Sequence, residues 1–255
     1  MKKTAIAALL AAMTPMAAQA DLLFTVGAKA SIWNAEPTGQ LDADVSVEDD
    51  GLNLDSENGQ QLEVYFDHPV PFVPNLKLKQ TSLELKGDGD LQGNISFGPG
   101  NVTFNEAVSS TFDLSHTDLT LIWGLPLPVP FVDVNFGLTA RQFDGVAEVT
   151  SKTNPQNNNS VDLDFVMPLL YGEIEISTPF GLYGQADVNY IGYGDNKLMD
   201  LSYGLGYDLP IPVVDLGLEA GYRSITLETD EDLADIETDL EVKGAYFGAN
   251  FSVGF

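Results

Sequence analysis

Apolar and polar residues alternate one by one along most of the chain. At the C-terminal end Ala245, Phe247, Ala249, Phe251, Val253 and Phe255 fill one set of alternate positions, and Gly244, Tyr246, Gly248, Asn250, Ser252 and Gly254 fill the other. A period of two marks a β-strand whose two faces meet unlike surroundings. Met199, Leu201, Tyr203, Leu205, Tyr207 and Leu209 alternate in the same way with Asp200, Ser202, Gly204, Gly206 and Asp208. Val132, Val134, Phe136, Leu138 and Ala140 do so with Asp133, Asn135, Gly137, Thr139 and Arg141, and Val214, Leu216, Leu218, Ala220 and Tyr222 with Asp215, Gly217, Glu219, Gly221 and Arg223. Helical periodicity is scarce, and no later segment offers 18 consecutive apolar residues, so a helical membrane span is not expected in the mature chain.

A soluble β-sandwich also presents one apolar face per strand, so alternation alone does not choose between sandwich and membrane barrel. Length does. The runs last about 9 to 13 residues, which suits a tilted strand crossing a bilayer better than the usual five or six residues of a soluble strand. Small residues on the polar face leave room inside a closed cylinder, and the hydrocarbon forbids an open sheet edge.

The turns repeat. Pro69-Val70-Pro71-Phe72-Val73-Pro74, Pro128-Val129-Pro130-Phe131-Val132 and Pro210-Ile211-Pro212-Val213-Val214 share one signature, with a shortened version at Thr178-Pro179-Phe180-Gly181. Proline cannot donate to a ladder, so each cluster ends one strand before the next begins. Four such turns predict an all-β, closed antiparallel transmembrane barrel of ten strands, at 22–33, 59–68, 75–86, 111–124, 132–144, 161–177, 181–193, 198–209, 213–227 and 240–255. Eight strands are the alternative. Long connections at 34–58, 87–110, 145–160 and 228–239 lie opposite the Pro turns, and short turns inside with long loops outside are the outer-membrane pattern. Strands three (Leu76, Leu78, then Leu83, Leu85) and six (Met167, Pro168, then Leu170, Ile174, Ile176) change phase midway, which predicts bulges. Trp123, Phe72, Phe131 and Phe180 fall where an interfacial aromatic girdle is expected.

The first twenty residues have their own logic. Met1, Lys2 and Lys3 are followed by an apolar stretch from Ala5 to Met13 and by Ala18-Gln19-Ala20. Residues 1–20 therefore read as a secretory signal peptide, leaving 21–255 as one barrel domain. Signal peptide, dyad strands and the closing aromatic strand together resemble Gram-negative outer-membrane β-barrels. That resemblance implies outer-membrane localisation after secretion to the periplasm. It also implies that Phe247, Phe251, Val253 and Phe255 are read by the barrel-assembly machinery, with lipid and lipopolysaccharide as surroundings. The Pro-Val-Pro-Phe-Val turns look like those of a small, functionally uncharacterised proteobacterial outer-membrane family, which supplies no functional residue to carry over.

Charge narrows the chemistry. Asp and Glu total 38 against 11 Lys and Arg, a formal charge of -27, so nucleic acid is not an expected partner. The absence of Cys removes disulfides and thiolate chemistry. Eight acids lie in 36–57 and eight more in 228–241, where they read as solvated loops that could loosely hold divalent cations. Asp88-Gly89-Asp90-Leu91-Gln92-Gly93 begins like a calcium loop, but Pro99 stands where a bidentate Glu is needed. No metal centre and no cofactor is expected.

Alternation places Lys29, Arg141 and Arg223 in the lumen among Glu63, Asp118, Asp133, Glu173, Glu175, Asp187, Asp200, Asp208, Asp215 and Glu219. Partly buried charges must pair or stay hydrated, so a salt-bridged filling and a structural or passive role are the favoured reading. The alternatives are a narrow cation-preferring channel, since acids prevail on that face, and a loop-based surface enzyme or adhesin. An enzyme is not expected. His68 lies in a Pro turn. His116 and Asp118 share a strand face and could form a general base, but Phe112 and Leu114 share that face too.

Overall fold

A computed structural model describes residues 24–41, 45–48, 51–95, 102–194, 196–211, 214–229 and 238–255. The expected signal peptide, part of the third Pro turn and parts of both acidic stretches (42–44, 49–50 and 230–237) lie outside the described residues. The described chain forms β1 (Thr25–Leu41), β2 (Glu57–Asp67), β3 (Asn75–Ser82), β4 (Glu84–Ile95), β5 (Val102–Asp113), β6 (His116–Gly124) and β7 (Val132–Phe143). It continues with β8 (Gly145–Ser151), β9 (Asn158–Leu163), β10 (Val166–Ser177), β11 (Leu182–Tyr193), β12 (Asn196–Leu209), β13 (Asp215–Thr229) and β14 (Thr238–Gly254).

Ten of these strands close a barrel in the order β1-β14-β13-β12-β11-β10-β7-β6-β3-β2, each antiparallel to its neighbours. Ten strands, not eight, is therefore the count. The seam is long: β1 runs from Thr25 opposite Gly254 to Leu41 opposite Thr238. Beyond it Phe24 N–H donates to the Phe255 carbonyl at 3.0 Å and Phe255 N–H to the Phe24 carbonyl at 2.9 Å.

The Pro turns hold one backbone feature in common. Phe72 (φ 68°), Phe131 (φ 67°) and Gly181 (φ 89°) all take the left-handed conformation. In the first two a proline precedes, giving the φ pattern of a type II turn, where glycine is the favoured third residue. Phe72 is almost fully exposed at this end, and Trp123 Nε1 donates to its carbonyl at 3.1 Å.

The connections expected at 87–110 and 145–160 are not loops. They carry β4, β5, β8 and β9, which form a second sheet in the order β4-β5-β8-β9. Its pairings repeat those of the barrel strands they extend. β3 pairs with β6 as β4 does with β5, β6 with β7 as β5 with β8, and β7 with β10 as β8 with β9. Four neighbouring barrel strands thus continue past the rim, with breaks at Leu83, 114–115, Asp144 and 164–165. The breaks are bonded: Leu114 N–H donates to the Leu83 carbonyl, Asp144 N–H to Ser115 and Phe143 N–H to Phe165.

This arrangement removes the predicted bulges. The inward parity of strand three continues from Lys79 and Thr81 to Leu83 and Leu85, all buried. In strand six Met167, Leu169 and Tyr171 face inward while Val166, Leu170, Ile174 and Ile176 face out. What changes is the medium. Below the rim the outer face is apolar and the lumen polar; above it the outside is polar and the inside is an apolar core. The same inversion occurs within β14, where Leu240 and Val242 are buried and Phe247 and Phe251 exposed. Phe112 and Leu114 share a face with His116 and Asp118 for this reason, and the register there is regular.

The exposed apolar side chains form a belt. It includes Ile32, Leu62, Val64, Leu76, Leu78, Leu119, Phe136, Leu138, Leu170, Tyr203, Leu205, Leu218, Phe247 and Phe251. From Ala245 to Phe255 it runs about 33 Å along the strand at about 3.3 Å per residue. With the usual tilt of transmembrane barrel strands this makes a band about 25 Å tall, the height of a hydrocarbon core in such proteins.

Candidate functional site

The lumen is stacked in three layers. Nearest the Pro turns is a polar, acid-rich vestibule, a cavity of about 280 Å³ lined in part by Asp67, Asp133, Glu173 and Glu175. Two lysines organise its upper end. Lys77 Nζ donates to Glu173 Oε2 and to Tyr171 Oη, each at 2.7 Å, with Glu63 4.0 Å away. Lys29 Nζ donates to Gln185 Oε1 at 2.8 Å and to Glu219 Oε2 at 3.3 Å. Lys79 lies 4.0 Å from Asp187.

The second layer closes the lumen. Arg141 on β7 holds Asp118 of β6 with two donors, Nε to Oδ1 and Nη2 to Oδ2, both at 2.7 Å. Its Nη2 also reaches Asp200 Oδ2 on β12 at 2.5 Å. Arg223 on β13 grips the same Asp200 from the other side, through Nε at 2.9 Å and Nη2 at 2.7 Å, and donates from Nη1 to Thr81 Oγ1 at 3.2 Å. Its guanidinium lies 4.9 Å over the ring of Trp33 on β1, whose Nε1 donates to the Gly244 carbonyl. The pair β6–β7 and the pair β12–β13 stand on nearly opposite walls, so this network spans the lumen from side to side. All four charged side chains are 0 to 2% exposed, and two positive charges balance two negative ones.

Each member is there because its strand parity points it inward at the same height, just where the outer belt ends. Bidentate arginine suits this setting, because its planar fork satisfies both carboxylate oxygens when no water is available. A second bonded row, Thr120–Thr139–Asn189, lies beneath it, with hydroxyl separation 2.9 Å and Thr139 Oγ1 donating to Asn189 Oδ1 at 2.6 Å.

Above the charges the third layer is apolar. It joins Trp33, Leu169, Leu198, Ile225, Leu240 and Val242 inside the barrel to Leu85, Phe104, Val108, Phe112 and Val149 of the outer sheet in one cluster.

Of the residues assigned to the lumen from sequence, the structure joins Arg141, Arg223 and Asp200 directly, with Asp118, and joins Lys29 to Glu219. Asp187 sits by Lys79 and Asp133 lines the vestibule, while exposed Asp215 accepts from Ser252 Oγ at 3.2 Å outside it. Lys77, Lys79, Thr81 and Trp33 were not anticipated. Alternation carried from the outward Leu76 and Leu78 would have pointed both lysines inward. At the seam, Phe247 and Phe251 project outward from β14 and Phe255 stacks on Phe24 with centroids 6.1 Å apart; Val253 shares their parity.

The His116–Asp118 pair does not form. His116 Nδ1 donates to the Leu114 carbonyl at 2.7 Å, leaving Nε2 to face Arg223 Nη2 at 3.4 Å. His116, Asp118 and Asp200 could bring ligand atoms within 4.8 Å of one another, but two guanidinium groups already occupy the space between them. The arrangement is an ion-pair layer.

Fold, belt and layered lumen define the class: a closed ten-stranded antiparallel β-barrel of outer-membrane architecture. No family model and no curated protein matches the chain. Among solved structures it is similar to the outer membrane protease OmpT from Escherichia coli, at 11% identity over 91% of this chain and 97% of that one, with a TM-score of 0.48. It is also similar to a FadL homologue of Pseudomonas aeruginosa (8% identity, 91% and 90% covered, TM-score 0.39) and to Neisserial surface protein A (14%, 91% and 97%, 0.33).

Proposed function

We propose that the chain is an integral outer-membrane protein whose barrel is a sealed anchor, carrying the β4-β5-β8-β9 sheet outside the membrane in a structural role. The observation behind this reading is the wall-to-wall layer of Arg141, Asp118, Asp200 and Arg223, buried to within 2%. A hydrated ion would have to break several charge-assisted hydrogen bonds to pass it. On this reading the Pro turns face the periplasm and the acidic loops the exterior, where they attract loosely held divalent cations and lie beside lipopolysaccharide. Phe247, Phe251, Val253 and Phe255 serve as the strand read during assembly, after the signal peptide is removed.

The protein is not proposed to be an enzyme, because its one buried histidine bonds to backbone rather than to Asp118. Cation-preferring permeation is the second reading, favoured by the acidic vestibule. Planar bilayers separate the two. The purified protein is expected to show no conductance steps above leak, and an Arg141→Ser/Asp118→Ser double variant to show small steps. Discrete steps from the unaltered protein would replace the sealed anchor with a channel.

A further inference from the structure

On the far side of the charged layer, inside the apolar region, lies an enclosed chamber of about 100 Å³. Phe143, Phe165, Leu198 and Ile225 are among its walls, and His116 and Arg141 supply its polar lining. Its lining is otherwise hydrocarbon. Arg141 is fully buried, and its Nη1 has no hydrogen-bond partner in the protein. The reason is geometric. Asp118 and Asp200 take the Nε and Nη2 edge of the guanidinium, so Nη1 is left at the opposite corner of the fork.

A buried donor on a cationic group without an acceptor is costly, because the water it gave up is not replaced. An apolar chamber with one convergent donor is the usual make-up of a small-molecule site, in which hydrocarbon supplies affinity and the polar group sets orientation. We propose that this chamber binds a small neutral apolar molecule, a short or branched chain of about four non-hydrogen atoms, whose single oxygen acceptor receives a hydrogen bond from Arg141 Nη1. A cavity of about 150 Å³ holds the six non-hydrogen atoms of benzene, so about 100 Å³ holds about four. Neutrality follows from the charge count. Arg141 and Arg223 are already balanced by Asp118 and Asp200, so a carboxylate ligand would bring an uncompensated buried charge. Phe165, on the wall at the break between β9 and β10, is 43% exposed, which brings one side of the chamber to the surface. The site does not depend on whether the barrel conducts.

Acetone labelled with ¹³C at the carbonyl is a suitable probe, because hydrogen bonding to a guanidinium moves its resonance downfield while partition into detergent does not. Titrated against the folded, detergent-solubilised protein, it is expected to give a saturable downfield signal. Leu227→Trp and Leu240→Phe, which fill the chamber from two sides and whose folding is checked by heat-modifiable migration, are each expected to abolish it. Isobutane, of the same size but lacking the oxygen, is expected to compete at least tenfold more weakly. No saturable signal, meaning that a water alone satisfies Arg141, would overturn the site. So would a signal unchanged in both filled variants, and equal competition by the hydrocarbon would overturn the role of Arg141.

Discussion

Asp200 is the residue on which the lumen turns, since two guanidinium groups bond to its one carboxylate. Asp200→Asn is expected to destabilise the barrel by about 3–5 kcal/mol, because it leaves two buried cations with one anion. Replacing a whole pair is expected to be much milder: Arg141→Met with Asp118→Leu keeps the remaining charges balanced and should cost less than about 2 kcal/mol. Urea unfolding in detergent, followed by the fluorescence of Trp33 stacked under Arg223, measures both. Equal losses in the two variants would mean that packing, not charge balance, holds this layer. Much of this site was legible from alternation, since Lys29, Arg141, Arg223 and Asp200 all stand on polar faces of clean dyad strands. Lys77 and Lys79 were missed because Leu83 and Leu85 made the parity of strand three look broken, although alternation from Leu76 and Leu78 alone points both lysines inward.

At the level of elements, a change of hydrophobic phase has two physical causes that look alike in sequence. A bulge turns the strand over; a change of medium leaves the strand as it was and exchanges what each face meets. The second operates here, at β3–β4, at β9–β10 and within β14. The ten barrel strands were readable from the apolar belt, whereas β4, β5, β8 and β9 were not. Their outward faces are polar, and Gly87, Gly89 and Gly93 of β4 resemble loop composition. The outer sheet has its own buried residues, including Phe104, Val108 and Val149, fully enclosed. Val108→Asp places a charge without a partner in that core and is expected to cost more than about 3 kcal/mol. Because the barrel ladder closes below this level, the variant is expected to keep heat-modifiable migration while residues 84–163 become open to protease. Loss of both together would show that sheet and barrel fold as one unit.

For the molecule as a whole, the decisive contact is between its two ends. A barrel has no edge only if the last strand finds the first, and here β14 pairs with β1 along its length. Phe255 sits at the end of that seam, exchanging two backbone hydrogen bonds with Phe24 and stacking on its ring. As part of the seam it contributes an aromatic pair worth about 0.5–1.5 kcal/mol beyond its area, a small amount against a ladder of this length. The assembly role proposed for it is separable from this, since such a signal acts before the barrel exists, when the C-terminal strand is still unpaired. Phe255→Ala is therefore expected to refold in detergent with less than about 2 kcal/mol lost by urea titration, yet to reach the outer membrane of cells at a clearly lower level. If insertion in cells is unchanged, Phe255 serves the seam alone. If refolding fails as badly as insertion, the seam is the stronger requirement, and closure of the ring, rather than recognition of the strand, explains the aromatic side chain stacked on Phe24.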